Sequence, residues 1–392
     1  MNRKICFITG TRAEYGLLRG VMQATLNEAS FTLQLIATGS HLSPEFGLTY
    51  REIEDDGFAI DRKLELLLSS DSAQGTAKSM GLGMIAFADA FASLKPDLLV
   101  VLGDRFEIFA AVAAALVAKI PVAHLHGGEV TEGAFDDALR HAITKMSHLH
   151  FVAAEDYRRR VIQLGEDPQR VFNVGGLGVD AIAHTQLLSR SELEASLDFR
   201  LREQNLLVTF HPPTLDETDA TQQMDAMLTA LAELPELGLI ITLPNADVGG
   251  RALIKLIHDF AAEHANTVVF PSLGRVRYLS CLAQVDGVLG NSSSGLLEAP
   301  TYRKGTINIG NRQQGRLKAE SVIDCAADVQ AISQAIQRLF SAEFQSTLLK
   351  VVSPYGEAGA SYKIIDQLRQ LDFRALTKKS FYNLTDSAAG IK

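Results

Sequence analysis

Short apolar runs alternate along this chain with longer segments whose apolar residues recur at helical spacing. KICFITG stops at Gly10 and gives way to TRAEYGLLRGVMQATL, which predicts a strand, a glycine turn and a helix. LQLIATG repeats the strand pattern up to Gly39, with Ser40 and His41 just beyond, and SPEFGLTYREIEDDGF reads as a loop and a short helix. KLELLLSSDS reads as a strand entering a polar loop, and SMGLGMIAFADAFASLKP as a helix closed by Pro96. DLLVVLG, FEIFAAVAAALVAKI and PVAHL give strand, helix and strand; AFDDALRHAITKMS, HLHFVAA, DYRRRVIQLG and RVFNVG continue the alternation. Strands separated by helices of this length predict parallel βαβ units, so residues 1–178 read as one doubly wound α/β domain.

After two helical segments the pattern restarts at NLLVTFHPPT and runs through GLIITLPN, NTVVFPS, VDGVLGN and GTINIGN, each preceded by a helix or a short helical stretch. Residues 179–375 therefore read as a second domain of the same architecture, facing the first across a cleft. The helix around Ile364 is a candidate to cross back onto the first domain, and residues 376–392 read as a polar tail.

Composition narrows the picture. The 392 residues are 47% hydrophobic and 21% charged, as in a folded globular protein. The net charge of −9, without a long Lys/Arg run, speaks against a nucleic-acid partner. An anionic ligand would then be held by a few placed arginines and backbone N–H groups against the overall field. Cys6, Cys281 and Cys325 are odd in number and far apart, which argues against a disulfide framework and a cysteine zinc site. The N-terminus turns polar after five residues and no apolar run reaches bilayer length, so the chain reads as cytoplasmic with no membrane partner.

Chemistry concentrates where strands end, because ligands of open α/β sheets bind beyond the carboxyl ends. VVLGDRFE and IPVAHLHGGEVTEGAFDD place Asp104, His126, Glu129, Asp136 and Asp137 on one such rim. Carboxylates facing a phosphate-bearing ligand suit proton abstraction and return; as first-turn residues, Asp136 and Asp137 also complement a helix dipole. His124 and His126 have the i, i+2 spacing of some metal pairs, but no further ligand set follows, and no metal is assigned. Arg12 and Glu14 lie in the first glycine turn, as ligand contacts or as solvated first-turn residues. In the second half GNSSSGLLE follows a strand and opens a helix, so its hydroxyls and N–H groups suit a diphosphate better than a single cap would require. Glu298 suits a ribose diol there; Arg312 and Arg316 offer cationic cover, and His211 closes the strand LLVTFHP before two prolines.

Taken together, TGTRAEYG, GDRFE, HLHGGE with DD seven residues on, FHP and GNSSSG with its glutamate resemble the hydrolysing UDP-N-acetylglucosamine 2-epimerases of bacterial sialic-acid and related nonulosonate pathways. The resemblance runs from about residue 4 to about 375 and implies the GT-B fold. It implies expulsion of UDP from UDP-N-acetylglucosamine by anti elimination, then hydration of a 2-acetamidoglucal to N-acetylmannosamine. No cofactor is implied, and a homo-oligomer, a dimer or a tetramer, is. Carried onto this chain, Arg12, Arg105, His211, Asn245, Ser292, Ser293, Gly295, Glu298 and Arg312 would hold UDP and substrate, and Asp104 and Asp136 would be catalytic. Where some relatives read HIEGGE this chain has His126, so either His126 or Glu129 supplies the remaining acid–base group. Relatives close in these motifs act on UDP-2,4-diacetamido-2,4,6-trideoxyglucose, on the way to legionaminic acid. A glycosyltransferase of the same architecture, a non-hydrolysing epimerase and a sugar-nucleotide sensor without catalysis are the competing readings.

Overall fold

The computed structural model describes residues 2–44, 47–68, 72–130, 135–183, 185–211, 220–244 and 250–384. The chain forms two compact units, Met1–Ala181 with Tyr355–Lys392, and Ile182–Pro354. The first is built in chain order from β1 (Arg3–Thr9), α1 (Arg12–Asn27), β2 (Phe31–Thr38), α2 (Tyr50–Asp55), β3 (Arg62–Leu64), α3 (Ala73–Leu94) and β4 (Leu98–Leu102). There follow α4 (Phe106–Val117), β5 (Val122–Leu125), α5 (Phe135–Met146), β6 (Leu149–Val152), α6 (Glu155–Gln163), β7 (Val171–Asn173) and α7 (Leu177–Ala183). Its seven strands are all parallel in the order β3-β2-β1-β4-β5-β6-β7. Helices cover both faces: Phe7, Leu35 and Val100 pack toward α1, while Ile8, Leu99 and Val101 pack toward α3 and α4. Burial on both sides explains why these strands read as continuous apolar runs rather than alternating ones.

The second unit contains α8 (Arg190–Leu197), β8 (Asn205–Thr209), α9 (Ala220–Ala232), β9 (Gly238–Thr242), α10 (Gly250–Glu263), β10 (Thr267–Phe270), α11 (Gly274–Gln284) and β11 (Gly287–Gly290). It closes with α12 (Ser294–Leu297), β12 (Gly305–Ile309), β13 (Val322–Cys325), α13 (Val329–Leu339) and α14 (Ala342–Leu348). The parallel order is β10-β9-β8-β11-β12-β13. β13 and α14 are absent from the sequence reading. β13 is an edge strand of four residues with only Ile323 buried, too short and one-sided to produce an apolar run.

The apolar pattern predicts a first domain ending at 178 and a second running to 375 with its last helix a candidate to cross back; the chain rejoins the first unit at Tyr355. α15 (Ala360–Gln370) buries Ile364, Ile365 and Leu368 in the core that holds Leu18 and Met22 of α1. Asp180 secures its start, accepting from the N–H groups of Gly359 (2.6 Å) and Ser361 (3.1 Å). That is a carboxylate serving the positive end of a helix far along the chain. Among the described residues no helix is long and apolar enough to cross a membrane, and the three cysteines are free thiols.

Candidate active site

Each sheet has a point where neighbouring strands are reached by connections running in opposite directions, between β1 and β4 in the first and between β8 and β11 in the second. Ligands of open α/β sheets bind beyond the strand ends at such points. Nearly all described candidate residues lie on the loops or helix starts that follow these four strands, or on the loop after β5 and on α5 beside them.

After β1, Thr11 caps α1 and Glu14 completes a capping box. The Glu14 carboxylate, 6% exposed, accepts from Gly10 N (2.7 Å) and Thr11 N (3.2 Å), and burial pushes its pKa up to about 8 with nearby Glu107 adding to the rise. After β4, Arg105 reaches back to the fully buried Glu107 with Nε at 3.2 Å and Nη2 at 3.0 Å, a forked pairing that aims the guanidinium. Arg12, by contrast, is exposed and pairs with Glu52 at 2.9 Å.

Asp104 makes a very short contact with Arg140 of α5, and Arg140 also approaches Asp137 at 3.4 Å. Burial raises the Asp104 carboxyl above its ordinary range, the Arg140 charge opposes the rise, and Glu129 adds to it. Asp136 is raised by burial and then by Asp104, while Arg105 and Arg140 pull it down. Asp104, Glu129, Asp136, Arg105 and Arg140 thus feel one another's charge.

The two histidines of HLH do not share a face as their spacing predicts. β5 ends at Leu125, and His126 turns into the left-handed region at φ +61°. His124 is fully buried, its Nε2–H donating to Gly103 O (2.8 Å) and its Nδ1 facing the Thr144 hydroxyl (3.1 Å); burial depresses its pKa to about 3. It ties the end of β4 to α5. His126 Nε2 accepts the Leu177 N–H at 3.3 Å, which leaves Nδ1 to carry the proton it donates to Glu129 at 2.8 Å. Among the described residues no three His, Cys, Asp or Glu side chains are grouped as a metal site.

In the second unit Asn291 clasps His211, accepting from its N–H (2.7 Å) and donating to its carbonyl (2.8 Å), which joins the ends of β8 and β11. Gly290 lies at φ +134°, and a Cβ there would run into the Thr209 carbonyl, so only glycine lets the two strands come together at this point. Arg312 Nη1 and Gln313 Nε2 both donate to Asn291 O, at 3.0 and 2.8 Å. The three serines divide their work. Ser294 donates to Glu298 in a very short contact and accepts from Tyr278 OH at 2.6 Å, while Ser292 and Ser293 remain on the half-buried rim. Burial raises Glu298, and the Ser294 hydrogen bond and Arg275 oppose the rise. Gly295 is buried against Thr306 of β12, so its lack of a side chain serves packing. Asn245 and the two prolines after His211 lie outside the described residues.

Sequence reasoning left Glu107, Arg140, Asn291, Tyr278 and Gln313 unassigned. Glu107 and Asn291 stand inside GDRFE and GNSSSG and were open to notice there; Arg140, Tyr278 and Gln313 act through tertiary contacts that no local pattern displays.

Two doubly wound units with acids at one switch point and a Ser/Asn/Arg loop at the other define a protein of the GT-B class. Solved structures agree on that fold. A UDP-GlcNAc 2-epimerase of Neisseria meningitidis bound to UDP-GlcNAc has a TM-score of 0.76 at 19% identity, covering 94% of this chain and 100% of the other. A putative UDP-N-acetylglucosamine 2-epimerase of Listeria monocytogenes has a TM-score of 0.81 at 17% identity, covering 98% and 100%. The chain belongs to the UDP-N-acetylglucosamine 2-epimerase family, whose model matches residues 23–369. It is 41% identical to a GDP/UDP-N,N'-diacetylbacillosamine 2-epimerase (hydrolyzing) of Campylobacter jejuni over 97% of this chain and 99% of that one. It is also 34% identical to polysialic acid biosynthesis protein P7 of Escherichia coli over 98% of each.

Proposed function

We propose that this chain is a hydrolysing UDP-sugar 2-epimerase in nonulosonate biosynthesis, and that a 2,4-diacetamido-2,4,6-trideoxyglucose nucleotide is its substrate. The observation that carries the reaction is the coupled group of Asp104, Asp136 and Glu129, set against Arg140 and Arg105 at the first switch point. In the first stage the C1–O bond breaks with its electrons leaving on UDP, and a carboxylate removes the C2 proton, giving the glucal. In the second, water adds at C1 and a proton returns to C2 from the opposite face, giving the manno configuration. Asp104, held by Arg140, is the base, and Asp136, raised by burial and by Asp104, is the acid. Glu129 activates water while His126, committed through both ring nitrogens, orients it. Ser292, Ser293, His211 and Arg312 hold the diphosphate, whose departure their N–H, hydroxyl and guanidinium groups favour. Glu298 takes the ribose.

The choice of sugar rests on the 41% identity to the Campylobacter jejuni enzyme. The second reading, UDP-N-acetylglucosamine, is favoured by a 31% identical Neisseria meningitidis UDP-N-acetylglucosamine 2-epimerase over 87% of this chain and 88% of that one. Proton NMR in deuterium oxide with each sugar nucleotide in its own tube separates them. The expected result is free UDP and deuterium at C2 with the diacetamido sugar at the higher kcat/KM. Both nucleotides remaining intact, or a product that still carries UDP, refutes the proposal.

A further inference from the structure

The segment after α15, polar in composition, is fastened to the first unit at the far end of the helix that carries Asp136 and Arg140. A turn at Phe373–Thr377 buries Phe373 and Leu376, and Arg170 then donates to the carbonyls of Leu376 (3.3 Å) and Lys378 (3.2 Å). Lys379 Nζ donates to the carbonyls of Lys145 and Ser147, both at 2.6 Å, and pairs with Glu166 at 2.7 Å. An ammonium has three protons, and all three are used. The two carbonyls lie where α5 ends at Met146, among those a helix leaves without partners, and a cation there also meets the negative end of its dipole. Glu166 is 2% exposed and further binds Lys145 (2.8 Å) and His150 (2.9 Å). Burial alone would raise Glu166, but these partners hold it down at about 2, so it stays charged. Phe381 lies against Gly165, where any side chain would collide with its ring, and Lys145 Nζ sits 4.5 Å from the ring centroid.

We propose that Lys379 is a positioning residue for the reaction: by closing the C-terminal carbonyls of α5 together with Glu166, it fixes the axial placement and rotation of the helix whose first turns present Asp136 and Arg140. Twelve residues make α5 a rod of ~18 Å, so a shift at the capped end is carried to the acids at the other. This inference rests on the catalytic reading of those acids given above.

The full-length variants Lys379→Met, Lys379→Gln and Phe381→Ala test it, with kcat, KM, the pH profile, the melting temperature and hydrogen exchange at residues 139–143. An ångström of misplacement can cost a hundredfold in rate. Lys379→Met, assayed well below its melting transition, is expected to lose at least tenfold in kcat with KM within about threefold. It should also shift the acid limb of its pH profile and exchange the α5 amides faster. Phe381→Ala loses ring packing but keeps the cap, and is expected to lower the melting temperature with kcat within about twofold. Lys379→Gln retains two N–H donors and serves if the methionine variant does not fold, with a loss intermediate in size. Wild-type kcat, pH profile and α5 exchange in a folded Lys379 variant overturn the inference, as does a kcat loss in Phe381→Ala equal to that of Lys379→Met. Wild-type protein that releases no UDP overturns the catalytic reading alone, since the exchange measurement still decides whether Lys379 holds α5.

Discussion

Replacing Arg140 by Met separates the charge that holds Asp104 from the packing around it. The Arg140 side chain is 8% exposed and that of Asp104 21%, so the pair is largely withdrawn from water. Removing one member of a buried pair typically costs about 3–5 kcal/mol, and the residual exposure of Asp104 places this pair near the lower figure. The catalytic consequence has a defined sign. Burial already raises the Asp104 carboxyl and Arg140 is the main influence drawing it down, so without Arg140 the acid ionises only at higher pH. If ionised Asp104 is the base, the acid limb of kcat/KM moves upward. Each unit of that movement is worth about 1.4 kcal/mol, or tenfold in rate on the acid side. Arg140→Met should therefore lose more activity on the acid side of its profile than on the plateau, read as UDP release across the pH range. The limb belongs to the coupled carboxylates rather than to one residue, so its displacement is the meaningful quantity. Arg140→Lys, which keeps a charge without the fork, should leave the limb near its wild-type position while lowering kcat. A folded Arg140→Met variant with wild-type kcat/KM and an unmoved acid limb would refute the assignment of Asp104 as a base held by Arg140.

The other predictions concern the groups around this pair. Glu14 keeps a proton in the fold up to about pH 8 that the unfolded chain releases near 4.5, so wild-type stability falls as pH rises through that window and levels off above it. Glu14→Gln still accepts the Gly10 and Thr11 N–H groups, and denaturant midpoints should show up to ~4 kcal/mol less decline between pH 5 and 8. Gly290→Ala drives a methyl into the Thr209 carbonyl at a left-handed backbone position and should cost ~3 kcal/mol or more in thermal or urea unfolding. His126→Asn suits φ +61°, since asparagine tolerates that region, and its amide can still donate to Glu129. It should keep kcat within about tenfold while Glu129→Gln loses about a hundredfold or more; equal losses would return the proton transfer to His126.

What the chain displayed in advance follows the range of the interactions involved. β1, β2, β4, β5, β8 and β11 announce themselves because strands covered on both faces need unbroken apolar runs, and glycines such as Gly10, Gly39 and Gly290 end them at the functional rim. The acids of GDRFE and HGGE were visible for the same reason, as polar residues placed immediately after buried strands. The HLH pair was misread because alternation holds only while a strand lasts, and His126 lies one residue past its end. The return of α15 was open to suspicion but not to proof, since it depends on Asp180 meeting Gly359 and Ser361 from 179 and 181 residues away. Lys379 was hidden altogether: nothing in TKKSFYNL distinguishes a lysine that caps a distant helix from one in solvent.

On the proposed function, a chain of net charge −9 must take up an anionic nucleotide sugar. In the first unit the acids are not left as bare charges. Glu107 is answered by Arg105, Asp104 by Arg140, and Glu14 by a proton that burial retains. Asp136 is likewise pushed upward, by burial and by Asp104. The local field is therefore much weaker than a count of carboxylates suggests, and it shifts whenever a proton moves among them. An arrangement of this kind suits a reaction that removes a proton from one carbon and returns one to the opposite face. On the proposed mechanism the carboxylate that takes the first proton gives up its own negative charge, so the deprotonation step itself weakens the field that the acids of this unit present.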